Sequence, residues 1–323
     1  MLALTLADLD ARSAELDAAV LACDDIDHFC SSSDWLLPAA EALMPRRETF
    51  VHQCEYGWMT LMRAQQPVGD VLEPLEAMWA LGCPLVTTAP QLLARELVDE
   101  CARTAPRALL FLSGFVRSSR RFVETVRTLD RRYALRLGPS TRRHCADLRD
   151  GVDGWLSRRS ANVRRGLVRA QRRARDEGIE IVPVEVPANH ADRVYERLLA
   201  VERKSWKAHE GVSILHSEML GFYRLMLRRL AKRRAARLMF ARRDGEDVAY
   251  ILGGLFGHTY RGLQFSFDRQ LEQLSLGNLC QLEQVRALCE EGIEVYDLGA
   301  EVEYKRRWGE LVRETVSIFA LPR

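Results

Sequence analysis

Tight turns between apolar segments in the last third of the chain constrain its fold most strongly. Three segments have the length and residue types of β-strands: 236–242, 248–256 and 259–267. Asp244-Gly245 separates the first two segments, Gly257 separates the last two, and connections this short join antiparallel neighbours. The sequence therefore predicts a three-stranded antiparallel meander.

Helices and further strands are predicted on both sides of the meander. Before it, the apolar spacing indicates a strand and two helices, at 179–186, 189–207 and 217–233. After it come a helix and two strands, at 276–291, 294–298 and 313–320. The first half of the chain also reads as mixed α/β, with a hairpin around Gly57, helices at 91–103 and 118–129, and strands at 133–137 and 144–148.

Composition excludes several classes of protein. A length of 323 residues favours two domains, and 47% hydrophobic residues are enough for packed cores. The net charge of +2 gives no whole-chain case for nucleic-acid binding. Eight scattered cysteines and seven histidines lack metal-site spacing, so we expect reduced thiols, no metal and a cytoplasmic protein. The start of the chain has no signal-peptide pattern, and the uncharged stretch 77–94 contains prolines and reads as buried strand and turn.

Charge is concentrated in one segment. Residues 155–177 contain eight arginines and two acids, on a predicted helix over 155–176 with an apolar stripe. We therefore expect a first domain over 1–150, a linking helix over 151–178 and a second domain over 179–323. Three roles are open for the helix: a solvated inter-domain element, a contact with anionic lipid at the inner membrane face, or a site for tRNA phosphates.

The second half of the chain resembles the GNAT (Gcn5-related N-acetyltransferase) superfamily. The element order matches, and so do local motifs: Glu202-x-x-Ser205-Trp206-Lys207, Asp268, Gly277-Asn278-Leu279, Tyr296-Asp297-Leu298-Gly299 and Tyr304-Lys305-Arg306-Arg307-Trp308-Gly309. Together they are similar to the CelD-like branch of two-lobed bacterial acyltransferases, which is related to the Fem aminoacyltransferases. The resemblance implies an α/β (α+β) fold of tandem GNAT-like lobes. Each lobe would have a mixed, mostly antiparallel sheet flanked by helices, and the first lobe would be degenerate.

The resemblance also implies an acyl-CoA co-substrate. We expect the helix start at Ser275, Leu276, Gly277, Asn278 and Leu279 to bind its pyrophosphate, because such a terminus offers free N–H groups and a positive dipole end. The usual GNAT loop has Gln or Arg where this chain has Leu274, and a small residue where it has Leu279. A plain helix cap without a ligand is the alternative.

Four residues are the candidates for catalysis. Glu202 and Asp268 are the possible bases for the acceptor amine, and Tyr304 is the possible proton donor to the leaving thiolate. Lys305 is placed to bind a phosphate or carboxylate. The structural alternatives are a surface ion pair for Glu202, turn formation for Asp268, and packing or solvation for Tyr304 and Lys305.

The sequence thus predicts an acyl-CoA-dependent N-acyltransferase that works by direct transfer. The donor is an acyl-CoA or acyl-carrier thioester, and the acceptor is an amine on a small molecule, a sugar or a lipid. A sphingoid base, as in bacterial ceramide synthases, is one candidate acceptor. The alternatives are a Fem-type transferase that uses aminoacyl-tRNA and a non-catalytic CoA-binding or partner-binding protein.

Overall fold

The chain divides into two compact units. A computed structural model describes residues 1–67, 69–216 and 218–323. Unit 1 comprises Met1–Arg142 and Glu314–Arg323, and unit 2 comprises Arg143–Arg313. The arginine-rich segment, which the sequence analysis treated as a linker, lies inside unit 2, and the last ten residues lie in unit 1.

Unit 1 is an α/β unit. Its helices are α1 (Leu6–Ala11), α2 (Ser13–Leu21), α3 (His28–Ser31), α4 (Ser33–Leu43), α5 (Pro90–Thr104) and α6 (Arg120–Leu129). Its strands are β1 (Leu2–Leu4), β2 (Glu48–Cys54), β3 (Gly57–Gln66), β4 (Gly69–Pro74), β5 (Leu85–Val86), β6 (Leu109–Phe115) and part of β7 (Tyr133–Asp147). The strands β2, β3 and β4 pair antiparallel, as the predicted hairpin around Gly57 requires, and β6 lies parallel to β4.

Unit 2 starts with the end of β7 and two helices. It then has the order that unit 1 also contains, apart from the short β5: a strand, several helices, three strands, a helix and a strand. Its helices are α7 (Gly151–Ser157), α8 (Ala161–Asp176), α9 (Ala191–Arg203), α10 (Trp206–His209), α11 (Met219–Lys232) and α12 (Leu276–Glu290). Its strands are β8 (Glu180–Val184), β9 (Ala236–Arg243), β10 (Glu246–Phe256), β11 (Thr259–Phe267), β12 (Val295–Ala300) and the beginning of β13 (Leu311–Pro322), which continues into unit 1. Short 3-10 helices lie at Ala188–His190, Ile214–His216, Arg269–Leu274 and Glu303–Arg307.

The sheet of unit 2 contains the predicted meander. The strands β9, β10 and β11 pair antiparallel, and β8 pairs antiparallel with the free edge of β9. Asp244 and Gly245 both have positive φ, at 52° and 85°, which is the backbone conformation of a two-residue hairpin turn. The strand β12 lies parallel to β11, and the end of β7 pairs antiparallel with β12. Both units therefore have a mostly antiparallel sheet with one parallel pair, which confirms the predicted fold class.

The helix α8 packs on the core of unit 2 through its small apolar side chains. Ala170 and Ala174 are buried in a cluster with residues of β9, β10 and α12, and Leu167 is buried next to Trp155. This packing explains why the segment belongs to unit 2. The predicted single helix over 155–176 is wrong in one respect, because α7 ends at Ser157 and a new helix begins where the Ser160 hydroxyl accepts a hydrogen bond from the N–H of Val163.

The predicted strands at 133–137 and 144–148 also need correction, because they form the single strand β7. The position of Ser217, the predicted start of a helix, lies outside the described residues, and that helix runs from Met219. Among the helices in the described part of the chain, none combines the length and apolarity needed to cross a bilayer.

Candidate active site

The parallel strands β11 and β12 pair over a short distance and then separate. Three residue pairs join them, from Thr259 with Val295 to Arg261 with Asp297. Beyond Arg261, β11 continues to Phe267 with no further pairing to β12 among the described residues. This separation opens a gap between two parallel strands in the middle of the sheet.

The helix α12 begins near the end of β11. Ser275 precedes it with φ of +57°, and its side chain makes no capping hydrogen bond. The carbonyl of Ser275 accepts from the N–H groups of Asn278 and Leu279, so the helix is regular from its first turn. The N–H groups of Leu276 and Gly277 come before these first hydrogen bonds and have no acceptor within the helix.

The five residues predicted to bind the cofactor divide into two groups. Ser275 and Asn278 line a cleft, whereas Leu276, Gly277 and Leu279 are buried. A Cβ atom at Gly277 would lie 3.0 Å from the ring of Phe265 and 3.4 Å from that of Phe267. Close packing of α12 on β11 therefore accounts for glycine at this position, and Leu274 and Leu279 belong to the same core.

The cleft beside this helix start is strongly basic. Its volume is about 930 Å³, and its other walls are the helix α8 and the end of the 303–308 turn. The lining residues are Ser160, Asn162, Val163, Gly166, Leu167, Arg169, Ala170, Arg172, Arg173, Ser275, Asn278, Arg307 and Trp308. Four of these carry a guanidinium and none carries a carboxylate, so the cleft suits an anionic ligand.

Two stacked tryptophans support the wall that carries Arg307. The rings of Trp155 and Trp308 stack with centroids 5.4 Å apart, and Trp155 Nε1 donates to the carbonyl of Trp308 at 3.1 Å. Both side chains are buried. This hydrogen bond and the ring contact hold the 303–308 turn against the helix α7, 153 residues earlier in the chain.

Tyr304 and Lys305, two of the predicted catalytic residues, lie on that turn. The ring of Tyr304 packs edge-on against Phe265, which also contacts the start of α12. Tyr304 is 36% exposed, and burial of the remainder raises its pKa to about 12. The Nζ of Lys305 donates to the carbonyl of Ala300 at 2.8 Å, and burial, with the nearby Arg261 guanidinium, lowers the pKa of Lys305 to about 8.

Glu202 is fully buried on the helix α9. Its two carboxylate oxygens accept hydrogen bonds from the hydroxyls of Ser213, at 2.9 Å, and Tyr250, at 3.0 Å. Burial, with the Glu202 carboxylate, raises the pKa of Tyr250 well above its usual value, so this hydroxyl stays protonated. Glu202 therefore reaches a ligand only through one of these hydroxyls.

Asp268 lies at the end of β11 and is partly exposed. Its carboxylate accepts a hydrogen bond from the N–H of Gln270 at 2.9 Å and caps the 3-10 helix Arg269–Leu274. A backbone bridge joins Asp268 to Ser205, whose hydroxyl donates to the carbonyl of Glu202. Ser205 therefore links the backbone of the two candidate bases. Of the two, only Asp268 has a carboxylate that reaches solvent.

Sequence reasoning missed the role of a partly buried lysine near Glu202. Lys207 Nζ donates to the carbonyl of Phe265 at 2.6 Å and to Gln264 Oε1 at 3.2 Å, and Gln264 Nε2 donates to the hydroxyl of Tyr223 at 2.8 Å. Burial lowers the pKa of Lys207, and the Glu202 carboxylate opposes that shift. The only signal in the sequence was the motif around Trp206, which does not reveal that Lys207 contacts β11.

The described residues include no group of three or more His, Cys, Asp or Glu side chains that could hold a metal ion. The cysteines are free thiols, and burial raises the pKa of Cys145 and of Cys280 to about 12. Neither thiol is therefore activated as a nucleophile.

Comparison with known proteins supports the reading of unit 2. Residues 161–306 match the model of the acetyltransferase (GNAT) domain family. No curated protein sequence matches the chain significantly.

Solved structures share the fold over almost the whole chain. FemX is 11% identical with a TM-score of 0.66, and the match covers 94% of this chain and 95% of that one. The C-terminal domain (DUF2156) of a putative lysylphosphatidylglycerol synthetase from Agrobacterium fabrum is 13% identical with a TM-score of 0.59, covering 98% and 92%. L-PGS from Bacillus licheniformis is 11% identical with a TM-score of 0.57, covering 95% and 91%. At these identities the likeness shows the fold alone. Residues 161–306 thus match a GNAT domain, and the chain as a whole shares the fold of FemX.

Proposed function

We propose that the protein is an N-acyltransferase that moves an acyl group from a CoA thioester to an amine. One observation carries this proposal: the gap between β11 and β12 lies next to a helix start that opens into a cleft with four arginines and no carboxylate. Phosphate groups suit the cleft and the helix start, and the arm of the donor would then extend along the gap. The match to the GNAT domain family supports the same donor class.

Transfer requires two proton movements. The amine nitrogen attacks the thioester carbon, the C–S bond breaks with its electron pair on sulfur, the nitrogen loses a proton and the thiolate gains one. We assign the thiolate proton to Tyr304, whose raised pKa keeps its hydroxyl protonated at neutral pH. To Lys305, one residue further along, we assign the binding of an anionic group of a substrate.

The acceptor amine needs a base, because an alkyl ammonium has a pKa of about 10.4 and is mostly charged at neutral pH. Asp268 is the candidate with an accessible carboxylate. Glu202 would act through the hydroxyl of Tyr250 or Ser213. A positioned base contributes about 10²–10⁴-fold to the rate, so its loss is measurable.

The test is release of free thiol from acyl-CoAs of different chain length in the presence of a small amine, an amino sugar or a sphingoid base. The pH dependence of kcat is then compared for the parent, Glu202→Gln, Asp268→Asn and Tyr304→Phe. The variant of the true base loses the acidic limb of the profile. Tyr304→Phe lowers kcat at every pH tested, because a hydroxyl with a pKa of about 12 stays protonated across that range. Asp244→Asn is the matched control, because Asp244 lies exposed in the β9–β10 turn.

Absence of amine-dependent thiol release with every donor would contradict the proposal. CoA binding without turnover would favour the non-catalytic alternative. If all three variants keep values of kcat and pH profiles close to those of the parent, the catalytic assignments are refuted. The proposed donor site would be unaffected by that result.

A second candidate is an aminoacyl-tRNA-dependent transferase of Fem type. The observation that favours it is the FemX fold over 94% of the chain. Such a protein would bind charged tRNA with a steep dependence on salt, because contacts to phosphates release counterions. It would not bind CoA.

Peripheral association with anionic membrane stays a separate hypothesis for the segment 155–176. The arginines of this segment lie on different surfaces. Arg164 and Arg165 do not line the cleft, and Val168, one turn further along the helix, is 65% exposed. Binding to anionic vesicles that depends on Arg164 and Arg165, but not on Arg172 and Arg173, would support it. No binding by the parent would rule it out.

A further inference from the structure

The arginines of the segment 155–176 serve two different purposes. Arg158 and Arg159 both pair with Glu310, and Arg159 also lies over the ring of Trp155. Farther along, Arg169, Arg172 and Arg173 line the cleft, where Arg307 joins them from the 303–308 turn. The first pair supports the structure, and the other four face an open cleft.

The four cleft arginines differ from Arg158 in their ion pairs. Within residues 1–67, 69–216 and 218–323, no ion pair involves any of the four, whereas Arg158 at the start of the same segment has two. Like charges close together repel one another unless an anion binds between them. Guanidinium groups bind phosphate oxygens through paired hydrogen bonds, so a ligand with several phosphate groups suits this arrangement.

We propose that Arg169, Arg172, Arg173 and Arg307 recognise the nucleotide end of the donor, including the 3′-phosphate of CoA. This inference rests on the proposed function and goes further, because it selects free acyl-CoA over an acyl-carrier thioester. CoA brings roughly four negative charges, about two of them on its 3′-phosphomonoester. A carrier-bound phosphopantetheine brings a single phosphodiester charge, which would leave most of the four arginines without a partner.

The size of the cleft agrees with this choice. Its volume of about 930 Å³ falls at the upper end of the range of about 300–1,000 Å³ that is usual for ligand sites. A pyrophosphate at the start of α12 would occupy only the part near Ser275 and Asn278. The part along Arg169, Arg172 and Arg173 is left for the phosphorylated nucleoside.

The experiment is calorimetric titration of the full chain with CoA, dephospho-CoA and 4′-phosphopantetheine. The parent is expected to bind CoA at least about tenfold more tightly than dephospho-CoA, a difference of about 1.4 kcal/mol, and to bind 4′-phosphopantetheine most weakly. The double variant Arg172→Gln/Arg173→Gln is expected to lose most of this preference, because its affinity for CoA falls far more than its affinity for dephospho-CoA. Arg307→Gln, on the opposite wall, should act in the same direction.

The matched control is Arg164→Gln/Arg165→Gln. It removes the same charge from the same helix but leaves the cleft unchanged, so its CoA affinity should stay within about twofold of the parent. Arg172 and Arg173 are exposed, and retention of the circular dichroism spectrum and of the unfolding midpoint verifies that the variants fold.

Equal binding of CoA and dephospho-CoA by the parent would overturn the inference and leave the proposed function intact. An equal loss of CoA affinity in the control variant would also overturn it, because the effect would then be one of net charge. If the parent binds charged tRNA and not CoA, both the inference and the proposed function fail.

Discussion

Replacing Trp308 tests whether the 303–308 turn, and with it Arg307, is held at the cleft by packing against Trp155. Trp308 is 4% exposed, its ring stacks on Trp155, and its carbonyl accepts a hydrogen bond from the Trp155 indole. In Trp308→Ala the hydrogen bond to the backbone remains possible. The variant therefore removes the ring contact and leaves a cavity next to Trp155.

The expected loss of unfolding free energy is large. A buried aromatic side chain removes about 150–250 Å² from water, which at about 25 cal/mol per Å² corresponds to about 4–6 kcal/mol. Measured costs of Trp→Ala changes in protein cores are about 3–5 kcal/mol, and we expect a value in that range. Trp308→Phe keeps an aromatic ring against Trp155 and should lose about half as much.

The assay is urea unfolding followed by circular dichroism, combined with CoA titration of each variant under folding conditions. We expect Trp308→Ala to weaken CoA binding, because Arg307 is no longer held in place, and Trp308→Phe to restore most of that affinity. A loss below about 1 kcal/mol in Trp308→Ala, with CoA affinity equal to that of the parent, would refute the reasoning.

Three further predictions concern single residues. Gly309→Ala should destabilise the protein by about 3 kcal/mol, because the new Cβ would lie 2.6 Å from the carbonyl oxygen of Cys145. The matched change is Gly166→Ala in the helix α8, where a new Cβ would meet nothing within 4 Å; it should stabilise the protein by about 0.5–1 kcal/mol. Urea unfolding midpoints of the two variants test both values. Glu202→Gln should cost about 1–3 kcal/mol, because the amide nitrogen cannot accept a hydrogen bond and leaves one of two buried hydroxyls without its acceptor; an unchanged midpoint would contradict this. Lys305 has a pKa of about 8 in the folded protein against 10.5 for the free group, so the unfolded chain binds more protons between these values. The stability of the parent relative to Lys305→Met should therefore rise between about pH 8 and pH 10.5, and a flat difference would show that the shift is absent.

Local signals in the sequence were sufficient for most of the fold. Asp244 and Gly245 specify a turn through their own backbone preferences, and the apolar spacing of each segment specifies a strand or a helix. The break before α8 was missed because the apolar pattern continues across it, although Ser160 supplies a hydroxyl for a cap. Capping decides such a boundary, and periodicity alone does not detect it.

The environment of the candidate site depends on contacts between distant residues. Glu202 was predicted as a base, with a surface ion pair as the alternative. The sequence did not reveal that its carboxylate is buried and accepts a hydrogen bond from Tyr250, 48 residues later. The sequence identified an arginine-rich helix. It could not show which arginines form ion pairs and which line the cleft, because these contacts involve Glu310 and Arg307, far along the chain. Gly277 was assigned to a ligand, whereas its contact with Phe265 gives it a packing role that only the folded structure reveals.

Hydrogen–deuterium exchange with and without saturating CoA tests the central claim most directly. The amides of Leu276 and Gly277 precede the first hydrogen bonds of α12 and should exchange faster than those of Asn278 and Leu279 until a phosphate binds there. The proposed donor site predicts slower exchange with CoA in three segments: 160–173, 275–279 and 303–308. Exchange in the strand β8, Glu180–Val184, should stay unchanged. Unchanged exchange in 275–279 at saturating CoA, or protection confined to other parts of the chain, would contradict the assignment of this cleft as the donor site.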